Sequence, residues 1–230
     1  MLGNQLPDNQ PIGHQGSIGH RDELQSSADV QPSEASSREL EEAVERFRTS
    51  RRDLGVAQAD GQWVRRPFTI WMDNLDNGIG LLDGETLLAF AVGMSETLSI
   101  RDAVIVSLVV GKEQCGLQRM VSFACKPHDP RNVRSMYRLL QQAFNDEHVH
   151  IDHNRCSTGL SMMSSVADAI PGRFRVQPLA IMGYVCWWLG KEQALQYALQ
   201  ALALDEDCTL AAIVCSALKQ GIRPANQRLR

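Results

Sequence analysis

The chain has 230 residues, 43% of them hydrophobic, which is enough for one domain with a genuine core and a tail to spare. A net charge of −4 does not suit nucleic acid as a partner, since phosphate neutralisation calls for a basic surface. The N-terminus lacks the apolar core of a secretory signal, and none of the six cysteines forms a Cys-x-x-Cys pair, so free thiols in a reducing cytoplasm are expected.

Residues 1–37 are a low-complexity leader of Gln, Gly, Ser, Pro, Asn and His. Such a segment buries too little apolar surface to offset ordering entropy of roughly 1–2 kcal/mol per residue, so it is expected to be disordered. A single helical domain is expected over 38–224, with a flexible tail over 225–230. The first helix runs from 37 to about 53, with Ser36 and Glu39 as a capping box. Glu39, Glu41, Glu42 and Glu45 lie early and Arg46, Arg48, Arg51 and Arg52 late, an order that complements the helix dipole. Leu40, Val44 and Phe47 make its apolar stripe.

Residues 60–66 read as a loop, after which Pro67 suits a first helical turn. Phe68, Trp71 and Leu75 form that helix's apolar face, and Asn77-Gly78 ends it. Asp83 is a candidate cap for a helix that turns Leu87, Leu88, Ala91 and Met94 inwards. Ser99 and Asp102 open the next segment, which closes at Gly111. Its β-branched run, Val104, Ile105, Val106, Val109 and Val110, fits a buried strand or a buried helix by period alone. Residues 117–125 form a shorter helix. Asp129 and Pro130 mark another start, a cap followed by proline at the first position. Val133, Met136, Tyr137, Leu140 and Phe144 share one side of that helix, and Arg131, Arg134 and Arg138 the other. A polar loop spans 148–157, and a helix over 158–170 turns Leu160, Met163, Val166, Ala167 and Ile170 inwards. Pro171-Gly172 turns the chain.

The segment 179–189 is apolar on nearly every side, which requires burial around most of a helix's circumference. It is too short to cross a bilayer, so no membrane span is expected. Gly190 ends it. The next helix places Ala194, Ala198 and Ala201 on one stripe, with Leu195, Leu199 and Leu202 beside it. Small residues at that spacing let a neighbouring backbone come close. After Asp205, Glu206 and Asp207, a last helix puts Leu210, Ile213, Val214, Ala217 and Leu218 on one face, and Gly221 and Pro224 stop it.

Two resemblances follow from these stretches. Leu189-Gly190 with Ala194, Ala198 and Ala201 resembles a tetratricopeptide-type helical hairpin, although Glu206 stands where that repeat has proline and there is one copy. LSIRDAVIVSL, the run from IPGRFRVQPLAIMGYVCWWLG to CTLAAIVCSAL, and KQGIRP resemble the C-terminal half of an actinobacterial family catalogued as domain of unknown function 4192. Members of that family carry strand-like runs in an additional N-terminal region, so the resemblance implies that this chain represents the helical half. It also favours helix for the β-branched segment. It implies no activity, cofactor or partner.

The one constellation with metal-ligand chemistry is His148, His150, Asp152, His153 and Cys156, since imidazole, carboxylate and thiolate all bind zinc. Its spacing is not that of a zinc finger or a metalloprotease, and a polar loop that happens to be His-rich is the plainer reading. Walker, dinucleotide-binding and nucleophile-elbow motifs are absent. Gly78, Gly80 and Gly84 fit helix ends and turns, and Asp73 and Asp76 are ordinary surface carboxylates. Trp187 and Trp188 diverge by about 100° on a helix and do not easily line one pocket. No catalytic, cofactor-binding or metal residue is therefore assigned.

The expected molecule is all-α, with about eight or nine short antiparallel helices in one domain. Its expected role is non-enzymatic binding of another protein. The alternative is the helical half of an enzyme or ligand sensor whose active residues lie in a further N-terminal region.

Overall fold

The structure is a computed structural model that describes residues 34–227. Among these residues there are ten α-helices, short 3-10 turns and no strand. In chain order the helices are α1 (Glu34–Leu54), α2 (Val56–Asn77), α3 (Gly84–Glu96), α4 (Leu98–Val109), α5 (Leu117–Cys125), α6 (Pro130–Asn145), α7 (His153–Ala169), α8 (Val176–Trp188), α9 (Gln193–Leu204) and α10 (Thr209–Lys219). The expected disordered leader falls almost wholly outside the described residues. Over 225–227, within the expected flexible tail, a 3-10 turn buries Ala225, and the Gln227 side chain donates to the Trp187 and Trp188 carbonyls.

One continuous core runs from Leu40 in α1 to Ala217 in α10. At its centre lies α8, buried on all sides as its lack of a polar face requires. It packs against α7, α9, α10 and α4. Gly190 closes it with φ 68°, a left-handed conformation open to a residue without Cβ. The alanine stripe of α9 faces α8 and is buried. A Cβ on Gly183 would stand 3.1 Å from the Ala198 nitrogen and 3.3 Å from the Ala194 oxygen, so the two backbones nearly touch. None of the described helices is long and apolar enough to cross a membrane.

Several boundaries and faces differ from the sequence reading. The helix is already formed at Glu34, so Ser36 lies inside α1 and the Ser36/Glu39 box is not its start. Residues 60–66 are helix, and Pro67 sits inside α2 rather than in its first turn. Proline deep in a helix costs about 3 kcal/mol because it removes one backbone bond and crowds the preceding turn. Here Val64, Pro67, Phe68 and Trp71 are all buried, Trp63 packs tilted against Phe47 with ring centroids 4.6 Å apart, and its Nε1 donates to the Ala89 carbonyl at 3.0 Å. That packing against α1 and α3 overrides the local signal.

The β-branched run forms α4, as the family resemblance favours, but the helix starts after Thr97 and not at Ser99. The loop at 148–157 is shorter than expected, because Asp152 caps α7 by accepting from the Arg155 amide at 2.9 Å. Val133 and Tyr137 on the expected apolar side of α6, and Ile213 and Leu218 on that of α10, are exposed, as are Leu195 and Leu199 beside the alanine stripe of α9.

Candidate functional site

The sequence-predicted metal cluster does not assemble. Asp152 is committed to its cap, His148, His150 and His153 are exposed, and Cys156 is buried on α7 with its thiol donating to the Leu108 carbonyl at 3.3 Å. No group of three or more His, Cys, Asp or Glu among the described residues is placed to hold a metal. Arg131, Arg134 and Arg138 lie on the exposed face of α6. Asp73 is exposed, while Asp76 is ion-paired to Arg155 at 3.0 Å and Lys112 at 2.9 Å. Burial raises the Asp76 pKa, but the hydrogen bonds and charges of Lys112 and Arg155 outweigh it and hold the carboxyl below its usual range. Trp187 and Trp188 do converge, both packing on Phe144 and Tyr184 with ring centroids 5.4–6.1 Å apart. The two indoles also meet each other edge to face at 5.8 Å. The cluster is core packing.

What the fold builds instead is a groove where the start of α2, the start of α4 and the α5–α6 corner meet. It consists of two cavities. The larger, of about 700 Å³, is walled by Arg51, Val56, Asp60, Leu98, Cys125 and Lys126, among others. The smaller, of about 280 Å³, is walled chiefly by Phe123, Val133, Met136, Tyr137 and Leu140. The two share Ser99, Asp102 and Pro127, and so adjoin.

The walls are fixed by polar ties between elements. Ser99 Oγ donates to the Ala124 carbonyl at 2.7 Å, holding the first turn of α4 on the end of α5. Asn132 Nδ2 donates to the Ser122 and Lys126 carbonyls, each at 2.9 Å, and this clamps the α5–α6 corner. Asp129 caps α6 by accepting from the Arg131 amide at 2.8 Å, which draws its pKa down. Glu96 takes a bidentate contact from Arg48 at 2.7 and 3.0 Å and so joins α3 to α1. Arg101 donates twice to Asp102 Oδ1, at 2.9 and 2.7 Å, and once to Gln177 Oε1 of α8 at 3.1 Å.

The larger cavity has an unsettled polar wall. Asp60 is 1% exposed, and its Oδ1 lies 3.0 Å from Arg51 Nε. The two charges face each other, yet neither atom has an aligned hydrogen-bond partner, and the Thr97 hydroxyl is likewise buried without one. Burial pushes the Asp60 pKa up, and Arg51 pulls it back by less. Unpartnered buried polar atoms are rare in native proteins and mark places where something is held or strained. Burial also lifts the Cys125 thiol in the same wall to about 11, so it carries almost no thiolate.

The rim is apolar. Val56 is 50% exposed, Leu98 47%, Val133 51% and Tyr137 64%. Four exposed apolar side chains thus border one groove. None of these residues stood out in the sequence as a site. Val133 and Tyr137 lay on the expected inner stripe of α6, and Asp60 lay in an expected loop. The only local signal was the Asp129-Pro130 start, which places the corner but not what faces it.

The site defined in this way is a groove on an all-helical scaffold. A family described as Domain of unknown function (DUF4192) matches residues 13–225, and the chain belongs to that family. Comparison with curated proteins and with solved structures gives no match.

Proposed function

We propose that this protein is a non-enzymatic binding module that holds an extended segment of another protein in the groove between α2, α4 and α6. The gathering of Val56, Leu98, Val133 and Tyr137 along one continuous trough carries this reading. Apolar side chains left in water beside a polar floor suit a partner that brings both kinds of contact. Helical stacks present such troughs to peptide segments. The close α8–α9 hairpin with its alanine seam supports a tetratricopeptide-like relationship at the C-terminal end. Six free cysteines and no disulfide support a cytoplasmic setting. Nucleic acid is disfavoured, because Asp60, Glu96, Asp102 and Asp129 outnumber Arg51 and Lys126 in the larger cavity.

The test compares the full chain with the double variant V133D/Y137S as baits in native lysate. Both positions are exposed, so the variant keeps its helical circular dichroism. A bound protein lost at least tenfold by the variant is the expected outcome. Equal recovery by both baits overturns the assignment of the groove.

A further inference from the structure

The larger cavity and its neighbour meet at Asp102, and the state of that carboxylate points to what the groove recognises. Both hydrogen bonds from Arg101 end on Oδ1, and among the described residues no hydrogen bond reaches Oδ2. The side chain is 39% exposed and lines both cavities. Arg101 thus occupies one oxygen of Asp102 only, and the other carboxylates nearby are less accessible or fully held. Glu96 is held by Arg48 and approached by Arg173 at 3.7 Å, Asp129 caps α6, and Asp60 faces Arg51. Asp60 also lacks an aligned partner but is sealed from solvent, so Asp102 is the accessible acid of this wall with an acceptor oxygen left over.

We infer that the segment held in the groove carries an arginine or lysine whose cationic head binds Asp102 at the junction, beside a bulky apolar side chain seated in the smaller cavity. This rests on the groove being the binding site. A cationic head with donors suits a carboxylate oxygen that has none, and such charge-assisted bonds are the strong ones. The aliphatic stem of either residue would cover Pro127 and Leu98 while its head reaches the polar wall. The smaller cavity, bordered by Phe123, Met136 and Leu140, takes a leucine- or phenylalanine-sized group. An anionic anchor fits less well. The first turns of α2 and α4 have no side-chain caps and would welcome one, but it would face Asp60, Glu96, Asp102 and Asp129 in the same wall.

The probe is a displayed random peptide library selected on the immobilised full chain. The expected winners place Arg or Lys close to Leu, Met or Phe and lose binding to V133D/Y137S. One winner, synthesised with fluorescein, is then titrated by anisotropy. Replacing its basic residue with norleucine should weaken binding to the wild type about tenfold, and replacing it with glutamate should abolish binding. Against D102N the norleucine peptide should lose little more than the parent, which is the coupling a double-mutant cycle reads. Because the peptide-side changes are made against the wild type, they stand even where D102N disturbs Arg101. Winners that lack a basic residue, or carry acids, and still depend on Val133 and Tyr137 overturn the anchor and leave the groove standing. Winners that bind V133D/Y137S as well as the wild type, or no winners at all, overturn the groove and the anchor with it.

Discussion

At the residue scale the most consequential side chain is Asp60, nearly sealed from solvent and opposed only by Arg51. Burial raises its folded pKa above the unfolded value. The folded state therefore holds the proton more tightly. The stability this contributes is complete below the ordinary aspartate range and is lost as pH climbs through the raised folded value. Asp60→Asn has no proton to lose there, so its urea midpoint should rise relative to wild type across that window. Parallel midpoints over a pH series would show that the carboxylate is comfortable as an anion. Gly183 makes a second case. A methyl there meets backbone on α9, which cannot swing aside as a side chain can. Gly183→Ala should lose about 1–3 kcal/mol in equilibrium unfolding, despite the better helix propensity of alanine. The alanine seam opposite was legible in the sequence because small residues recurred at helical spacing. Asp60 was not, because nothing local distinguishes a buried aspartate from a loop aspartate beside Gly61.

At the element scale, α7 is bolted to its neighbours by one cation. Arg155 is 4% exposed, its Nε donates to the Ser107 carbonyl at 2.9 Å, and its Nη1 donates to Asp76 Oδ1 at 3.0 Å. It thereby links α7 to α4 and α2. Arg155→Ala should cost about 3–5 kcal/mol by chemical denaturation, since it strips a buried charge network of its centre. A loss under 1 kcal/mol would show that Lys112 alone satisfies Asp76. The start of α7 was misjudged in the sequence for the same reason that this bolt was invisible. His148 to Ser157 is polar apart from Val149, Ile151 and Cys156, and that composition does not tell a solvated loop from a helix turn that buries one arginine. In α2 the error ran through Pro67, a strong local stop signal. The buried ring of contacts around Trp63 and Trp71 forms only when α1 and α3 are in place, so no window within α2 could display it. The starts of α3 and α6 were placed well from the local acid caps Asp83 and Asp129, whereas the equivalent cap Asp152 of α7 was read as part of a His-rich loop.

At the scale of the whole molecule, one unbroken core joins the first described helix to the last. Trp63 and Trp71 report from α2, and Trp187 and Trp188 from α8. In each variant that retains one pair, the fluorescence midpoint should coincide with that variant's own far-ultraviolet circular dichroism midpoint, although the two variants lose different core tryptophans and so differ in stability. Two separated midpoints would divide the stack into independently melting parts. The all-α class was legible because buried helices such as α8 advertise themselves by lacking a polar side. The groove was not, since it belongs to no single element and comes into being at the meeting of α2, α4, α5 and α6.

The thiols described above have a practical consequence. Cys115 and Cys125 are lifted to about 11 and Cys156 to about 12, all by burial, and Cys186 and Cys208 are buried as well. On the order of one in ten thousand thiols at a pKa of 11 is ionised at neutral pH, so alkylating dyes should leave these positions largely untouched. A cysteine introduced at Val133 would stand in water and outcompete them. Cys215 is the exception, a free thiol that is only partly buried, so its replacement by serine is the one change needed before the chain can carry a fluorophore at the rim.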